Sequence, residues 1–313
     1  LIRHRGVTVA AALLLDAVFG EPPEALHPTV WMGRAISAFE RRALRLKEPR
    51  VRRGAGALLA LSVPALVCAV SYVSLRAMPR PLRLPLEAVL ISTTLSMRGL
   101  WRAAAAVEDE LLSGDLAGAR ACVGEFVGRD TARLSEAEVC RAAVESVAEN
   151  TSDGILAPML WAWMFGAPGA LAYRAINTLD SMVGYPETPY AELGWASARL
   201  DDLANLLPAR TTALAAALVS GRPLSVLRVA SRYGPLTRSP NAGWPEAAFA
   251  GALGLRLGGT NSYGGMMREG PVLGEGRAPA REDIRRAVRL MRLSCVFVAC
   301  ALLVADLLAD YRG

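Results

Sequence analysis

The chain has 313 residues, 53% of them hydrophobic and 20% charged, with a formal net charge of +6 and a mean hydropathy of +0.29. That apolarity is too high for an ordinary soluble domain, and the charge content excludes a chain immersed wholly in lipid. Lys47 is the only lysine, so a phosphate loop built on G-x-x-x-x-G-K-[ST] is excluded as well. An all-α, multi-pass integral membrane protein with cytoplasmic helical and loop segments is predicted. A soluble protein with large buried helices is the alternative.

Residues 7–19 are apolar but few, and Asp16 makes them a partial or amphipathic membrane segment. The Gly20-Glu21-Pro22-Pro23 that follows does not resemble a signal-peptide cleavage site. Three prolines break the chain over residues 20–28, and a helix resumes over 29–46. The basic run Arg41, Arg42, Arg45, Lys47, Arg50, Arg52 and Arg53 precedes the candidate span 54–75, which places that run in the cytoplasm. Residues 89–107 are a marginal span because of Arg98 and Arg102. Residues 100–126 read as two helices joined at Gly114–Gly118.

Ser135 and Glu138 form a capping box flanked by Leu134 and Val139 at the staple positions, so a helix begins at Ser135. Further candidate spans cover 155–179, interrupted at Gly166-Ala167-Pro168-Gly169, then 203–220 and 293–308. Residues 221–280 are rich in glycine and proline and read as loops with one helix near 246–257. Arg281, Arg285, Arg286, Arg289 and Arg292 precede the last span. Domain organisation is read as one membrane-embedded domain, 1–313, with cytoplasmic segments at 103–150 and 221–290. No repeat occurs and strand-like alternation is almost absent.

The five cysteines lack a CxxC pair and read as small core residues. The basicity lacks an aromatic–basic platform, so topology and lipid headgroups explain it better than nucleic acid. Residues 141–210 reverse the charge balance, with eight acidic side chains against four basic. Glu145, Glu149 and Asp153 recur every four residues. Like charges at that spacing repel, and an anion near a helix C-terminus is disfavoured, which implies a bound cation. Asn177 with Asp180, and Arg199 with Asp201, Asp202 and Asn205, add hard oxygen donors of the kind that suit magnesium shared with phosphates. Of the two histidines, His4 lies near the end, and His27 in its proline-bounded turn is open between structure and site. Asp153-Gly154 followed by Ala157 matches a CDP-alcohol phosphotransferase only faintly.

In combination these segments resemble the adenosylcobinamide-phosphate synthase family of cobalamin biosynthesis, the CobD/CbiB family. The stretches that carry the resemblance are Leu15-Asp-Ala-Val-Phe-Gly-Glu-Pro-Pro, His27-Pro28 with Gly33-Arg34, Gly128-Arg-Asp-Thr and residues 145–154. They continue with Asn177-Thr-Leu-Asp-Ser-Met-Val-Gly-Tyr185, residues 194–205 with Pro208-Ala-Arg210, and Ser239-Pro-Asn-Ala-Gly-Trp-Pro-Glu246 running into Leu257-Gly-Gly-Thr-Asn261-Ser-Tyr263. Relatives commonly carry a lysine where this chain has Tyr185-Pro186-Glu187, so no lysine role carries over.

The resemblance implies an ATP- and magnesium-dependent ligase that joins adenosylcobyric acid to aminopropanol, ethanolamine or a phosphate of these through a new amide bond. It further implies a multi-pass protein of the bacterial inner membrane with its site facing the cytoplasm, among other membrane-bound cobamide-assembly enzymes. On this reading Glu145, Glu149, Asp153 and Asp180 hold the metal, and Asp201, Asp202, Arg199 and Arg129 act in catalysis. Asp16, Glu21, His27, Arg34, Asp130, Asn150, Asn177, Asn205, Arg210, Asn241, Glu246, Asn261 and Tyr263 bind ATP and substrates. An AmpE-type membrane regulator, or a transporter for a corrinoid or other anion, is the alternative from a different class. Turnover to an amide product discriminates them.

Overall fold

The computed structural model describes residues 5–311, so His4 lies outside the described residues. In chain order the helices are α1 (Arg5–Phe19), α2 (Pro28–Ala43), α3 (Pro49–Ala77), α4 (Arg80–Ser92), α5 (Met97–Ser113), α6 (Leu116–Gly124) and α7 (Glu136–Thr151). A π-helical turn (Ser152–Leu156) separates α7 from α8 (Ala157–Phe165). There follow α9 (Ala167–Val183), α10 (Trp195–Ala204), α11 (Leu206–Val219), α12 (Pro223–Tyr233) and α13 (Gly243–Leu253). Four short strands come next, β1 (Leu257–Gly258), β2 (Asn261–Tyr263), β3 (Met266–Arg268) and β4 (Val272–Leu273), and α14 (Arg281–Tyr311) ends the description. The all-α class is borne out.

Two compact units divide these elements. The first takes the chain up to Ser96, Ala157–Asn205 and the part from Ala299; the second takes Met97–Leu156 and Leu206–Val298. In the first, α9 is central and packs on α2, α3, α8 and α10. Ile36, Ala43, Leu59, Leu179, Val183 and Leu193 form one of its cores. Pro28 and Pro49 occupy first-turn positions of α2 and α3, where the missing N–H costs no hydrogen bond. In the second unit α11, α12 and α13 pack on one another and α13 also packs on α7, largely through buried alanines that permit close approach. β1 pairs antiparallel with β4, and β2 with β3 through Gly264-Gly265, both at positive φ as a two-residue hairpin turn requires.

Several sequence expectations need correction. The interruption expected at residues 166–169 is present: Gly166, at φ 73°, ends α8 and starts α9, so the apolar stretch 155–179 holds helices of 9 and 17 residues, not one span. The span read at 203–220 is a helix of 14 residues, about 21 Å long at 1.5 Å per residue, against the ~30 Å of a hydrocarbon core. Residues 89–107 are divided between α4 and α5. Two helices among the described residues are long and apolar enough to cross a membrane, α3 and α14, each with a mean hydropathy of 2.1 in its most apolar stretch. The α3 side chains Leu58, Leu61, Leu66 and Val73 are more than 60% exposed. The segment 221–280 contains two helices, α12 and α13, plus the strands.

Gly56 allows the chain at Leu193 to lie against α3, since a Cβ there would sit 2.0 Å from the Leu193 carbonyl oxygen. Gly54, one half-turn earlier, has nothing within 4 Å of the same position. Gly56→Ala is expected to cost about 1–3 kcal/mol of stability through overpacking. Gly54→Ala should be neutral or stabilising by up to about 1 kcal/mol from helix propensity. Thermal unfolding of the two variants side by side tests this.

Candidate active site

The second unit assembles its polar site from the start of α7. The Ser135 N–H donates to Glu138 Oε2 at 2.7 Å and the Glu138 N–H donates to Ser135 Oγ at 3.4 Å, the capping box expected from the sequence. With the start fixed, Arg141, Glu145 and Glu149 fall four residues apart along one face. Glu145, 3% exposed, spends both carboxylate oxygens on the protein. Oε2 accepts from Arg129 Nη2 at 2.5 Å, and Oε1 accepts from the Gly258 N–H at 2.6 Å with Arg141 Nη1 3.5 Å away.

Arg141 also donates to the carbonyls of Gly258 and Thr260, and both arginines donate to Asn261 Oδ1, at 2.8 Å from Arg129 and 3.0 Å from Arg141. Gly258 has to be glycine: its φ is 74°, and a Cβ would lie 2.1 Å from the Pro271 carbonyl oxygen. Asp130 fastens the hairpin to the same loop, accepting from Ser262 Oγ at 2.6 Å and from the N–H groups of Gly264 and Gly265 at 3.1 and 2.8 Å. The Ser262 hydroxyl, followed by those backbone donors, holds its carboxyl below the usual carboxylate range.

Glu246, on α13, is the third carboxylate here. Burial raises its pKa well above the ordinary value, and the charges of Glu145 and Glu149 push it further while Arg129 and Arg141 oppose them. Burial and the two neighbouring carboxylates thus favour the protonated form of Glu246, and the two guanidiniums favour its anion. A cavity of about 270 Å³ lies beside this group, lined by Phe126, Val127, Gly128, Arg129, Ser146, Glu149, Asn150 and Tyr263. Asn150 is held against it by bonds to the Ser146 carbonyl and hydroxyl at 2.9 and 3.1 Å. Glu149 is exposed, and Asp153 lies in the π-helical turn that carries the chain beyond α7. Glu149 is therefore not at a free helix end, contrary to the sequence expectation. Helical turns continue past it, and its repulsion comes from neighbouring carboxylates. Elsewhere in this unit Arg210 donates to Asn241 Oδ1 at 2.6 Å and lies over the Trp244 ring at 4.9 Å.

The first unit holds a second polar cluster on α9 and α10. Asn205 Nδ2 donates to Asp201 Oδ2 at 2.9 Å, and Asn177 Nδ2 lies 3.5 Å from Oδ1. The fully buried Tyr173 donates to Asn205 Oδ1 at 2.8 Å. Burial, and then the charge of Asp180, push the Asp201 carboxyl up to about 7. Arg199 pairs with Asp202 at 3.2 Å at the surface. Further along this unit, His27 Nδ1 accepts from the Thr29 N–H at 3.2 Å and so caps α2, leaving Nε2 3.5 Å from Glu21 Oε2. The hydrogen bond from His27 to the Glu21 carboxylate, outweighing burial and helped by the charges of Arg174 and His27, lowers the Glu21 pKa. Asp16 is fully buried on α1, and Arg34 is exposed on α2.

The structure thus brings Arg129, Asp130, Glu145, Glu149, Asn150, Glu246, Asn261 and Tyr263 together in one unit. Asn177, Asp180, Asp201 and Asn205 come together in the other. Sequence reasoning missed Arg141, Tyr173 and Arg174. Arg141 was legible in principle, four residues before Glu145, as an opposite charge on the same helix face. Among the described residues no three His, Cys, Asp or Glu side chains converge closely enough to enclose a metal ion. Magnesium asks for less, one or two carboxylates with phosphates completing its shell, and Glu149 beside Glu246 fits that requirement.

The fold and site define a helical protein in which Glu149 and Arg129 face a small polar cavity. The comparisons narrow this class. A family model described as CobD/Cbib protein matches residues 9–291. The chain is 44% identical to the cobalamin biosynthesis protein CobD of Geobacter metallireducens, over 97% of this chain and 98% of that one. Proteins of the same name match at 44% identity from Klebsiella pneumoniae, over 90% and 91%, and from Chromobacterium violaceum, over 95% of each. No solved structure is significantly similar. The chain belongs to the CobD/Cbib protein family.

Two predictions follow from these environments. Arg129→Ala leaves a buried carboxylate short of its nearest cation and should cost about 3 kcal/mol or more, whereas Arg199→Ala at the surface should cost less than about 1 kcal/mol. Denaturant titration compares them. Asp201 has a folded pKa above its unfolded value, so the folded state binds the extra proton and stability falls as pH rises from about 4 to about 7. Asp201→Asn should flatten that portion of the stability–pH curve.

Proposed function

We propose that this protein is an ATP-dependent amide ligase of cobalamin biosynthesis, joining adenosylcobyric acid to an aminoalcohol or its phosphate at a bacterial inner membrane. One observation carries the reading: in a member of this family, Glu145, Glu149 and Glu246 gather with Arg129 and Arg141 beside a polar cavity. Membrane residence is supported by the length and apolarity of α3 and α14 and by the leucines that α3 leaves uncovered.

A carboxylate does not condense with an amine unaided; bound ATP with magnesium supplies the phosphoryl group that makes the propionate an acylating agent. Glu149 and Glu246 hold the cation, with Asp153 one turn beyond Glu149. Glu145 acts through Arg129 and Arg141, fixing both guanidiniums so that Arg129 presents positive charge to the cavity. Preorganised charge of this kind is the main protein contribution to phosphoryl transfer. In the first unit Asp201, with a pKa of about 7, is suited to exchange a proton near neutrality, and Asn177 and Asn205 hydrogen-bond to its carboxylate.

The test is purified protein with adenosylcobyric acid, ATP, magnesium and each candidate amine, read by mass spectrometry. Amide product is expected only when all components are present. Product formation should fall at least about 100-fold in Glu149→Ala, as for loss of an electrostatic group in such transfers. Undiminished amide formation by Glu149→Ala and Asp153→Ala would refute the cation assignment. Failure of the wild-type protein to form any amide would refute the ligase, in favour of a regulator or carrier.

A further inference from the structure

The second unit has a groove of about 450 Å³ that the proposed reaction does not use. Its walls are Trp101 from α5 and, from α14, Arg285, Arg289 and Arg292 followed by Leu293 and Val296. The α14 positions 285, 289, 292 and 296 recur at intervals of four, three and four, so they form one stripe along the helix. Polarity changes along that stripe. Arginine occupies its first three positions and valine the fourth, and the arginine-free part of α14 begins at Leu293. Arg285 is already neutralised by Glu108, with Nη2 2.7 Å from Oε1. Arg289 and Arg292 are exposed and have no carboxylate partner among the described residues, and Arg292 lies 5.2 Å from the centre of the Trp101 ring. Val296 and Leu293 are also exposed, at 53% and 44%.

We infer that this groove binds an anionic phospholipid, its phosphate between Arg289 and Arg292 and the start of an acyl chain along Leu293 and Val296. The charge pattern selects the occupant. Two unpaired guanidiniums call for an anion, the adjoining apolar wall calls for a chain attached to it, and a tryptophan at the junction suits the membrane interface. A water-soluble phosphate would satisfy the first requirement alone. An acidic peptide would satisfy the first but leave the lipid-level end of the groove to hydrocarbon. The inference rests on α14 crossing a membrane, as read under the proposed function.

The experiment uses the full chain, first floated with vesicles of phosphatidylcholine alone or mixed with phosphatidylglycerol, then extracted in mild detergent for native mass spectrometry. Flotation with both vesicle types is expected, with phosphatidylglycerol retained in preference to phosphatidylcholine. That preference should weaken about fivefold for each of Arg289→Gln and Arg292→Gln, the size expected for one arginine at an anionic surface. Trp101→Phe should keep it. All three variants should keep the wild-type melting temperature and amide-forming activity, since none lies in the site of α7 and α13. Flotation with no lipid preference, or a preference unchanged in the arginine variants, overturns the lipid site alone and leaves the membrane reading intact. No flotation with either vesicle overturns the membrane reading and the site with it. Displacement of phosphatidylglycerol by glycerophosphoglycerol at equal concentration overturns the part assigned to the acyl chain.

Discussion

The second unit is organised around one buried carboxylate. Glu145 has no access to water that could solvate an anion, and an unpaired charge at such a position would cost several kcal/mol. It is satisfied from three separate pieces of chain: Arg129 from the loop before α7, Arg141 from the preceding turn of its own helix, and the Gly258 N–H from β1. None of those partners can shift without leaving a charge or a backbone N–H stranded. The loop, the helix and the strand are therefore fixed relative to one another by a single group, and the cavity beside Glu149 inherits its shape from that constraint.

The same interaction explains why the glycine-rich strand region looks so unremarkable in sequence. Leu257-Gly-Gly-Thr-Asn261 reads as a flexible loop, because glycine carries no side chain from which a role can be inferred. Its function here is carried by backbone. Gly258 gives its N–H to Glu145 and its carbonyl to Arg141, in a conformation and at an approach distance that a Cβ would forbid. Asp130 repeats the device by filling the concave side of the Gly264-Gly265 turn with a carboxylate. Asp130 thus holds a hairpin of only three residues per strand, which would be marginal alone.

Local rules made part of the structure legible. The capping box at Ser135, the break at Gly166, and the turn between α5 and α6 were all readable because each depends on a few adjacent residues. Hydropathy misjudged the segments after Asp153 and after Leu203. Helices packed inside a protein are as apolar as helices in lipid, and only their length and exposure separate the two cases. The site divided along similar lines. Acidic motifs drew attention to Glu145, Glu149 and Asp201, but the partners around Glu145 and Asp201 include residues more than 20 positions away. Glu246 became intelligible only beside Glu145 and Glu149. Tyr173 gave no signal at all, since a tyrosine in an apolar helix reads as packing until its hydroxyl is seen on Asn205.

The two raised carboxyls, Glu246 and Asp201, illustrate different uses of burial. Asp201 is pressed mainly by desolvation, with two anionic neighbours, Asp180 and Asp202, while hydrogen bonds from Asn205 and Asn177 favour its anion. Such a group exchanges a proton near neutrality at little cost, which is the property of an acid–base residue. Glu246 sits among two carboxylates and two arginines, and no proton placement relieves all of those charges at once. Burial and the two carboxylates favour a protonated Glu246 while the two arginines favour its anion, whereas the Asp201 carboxyl is raised mainly by burial.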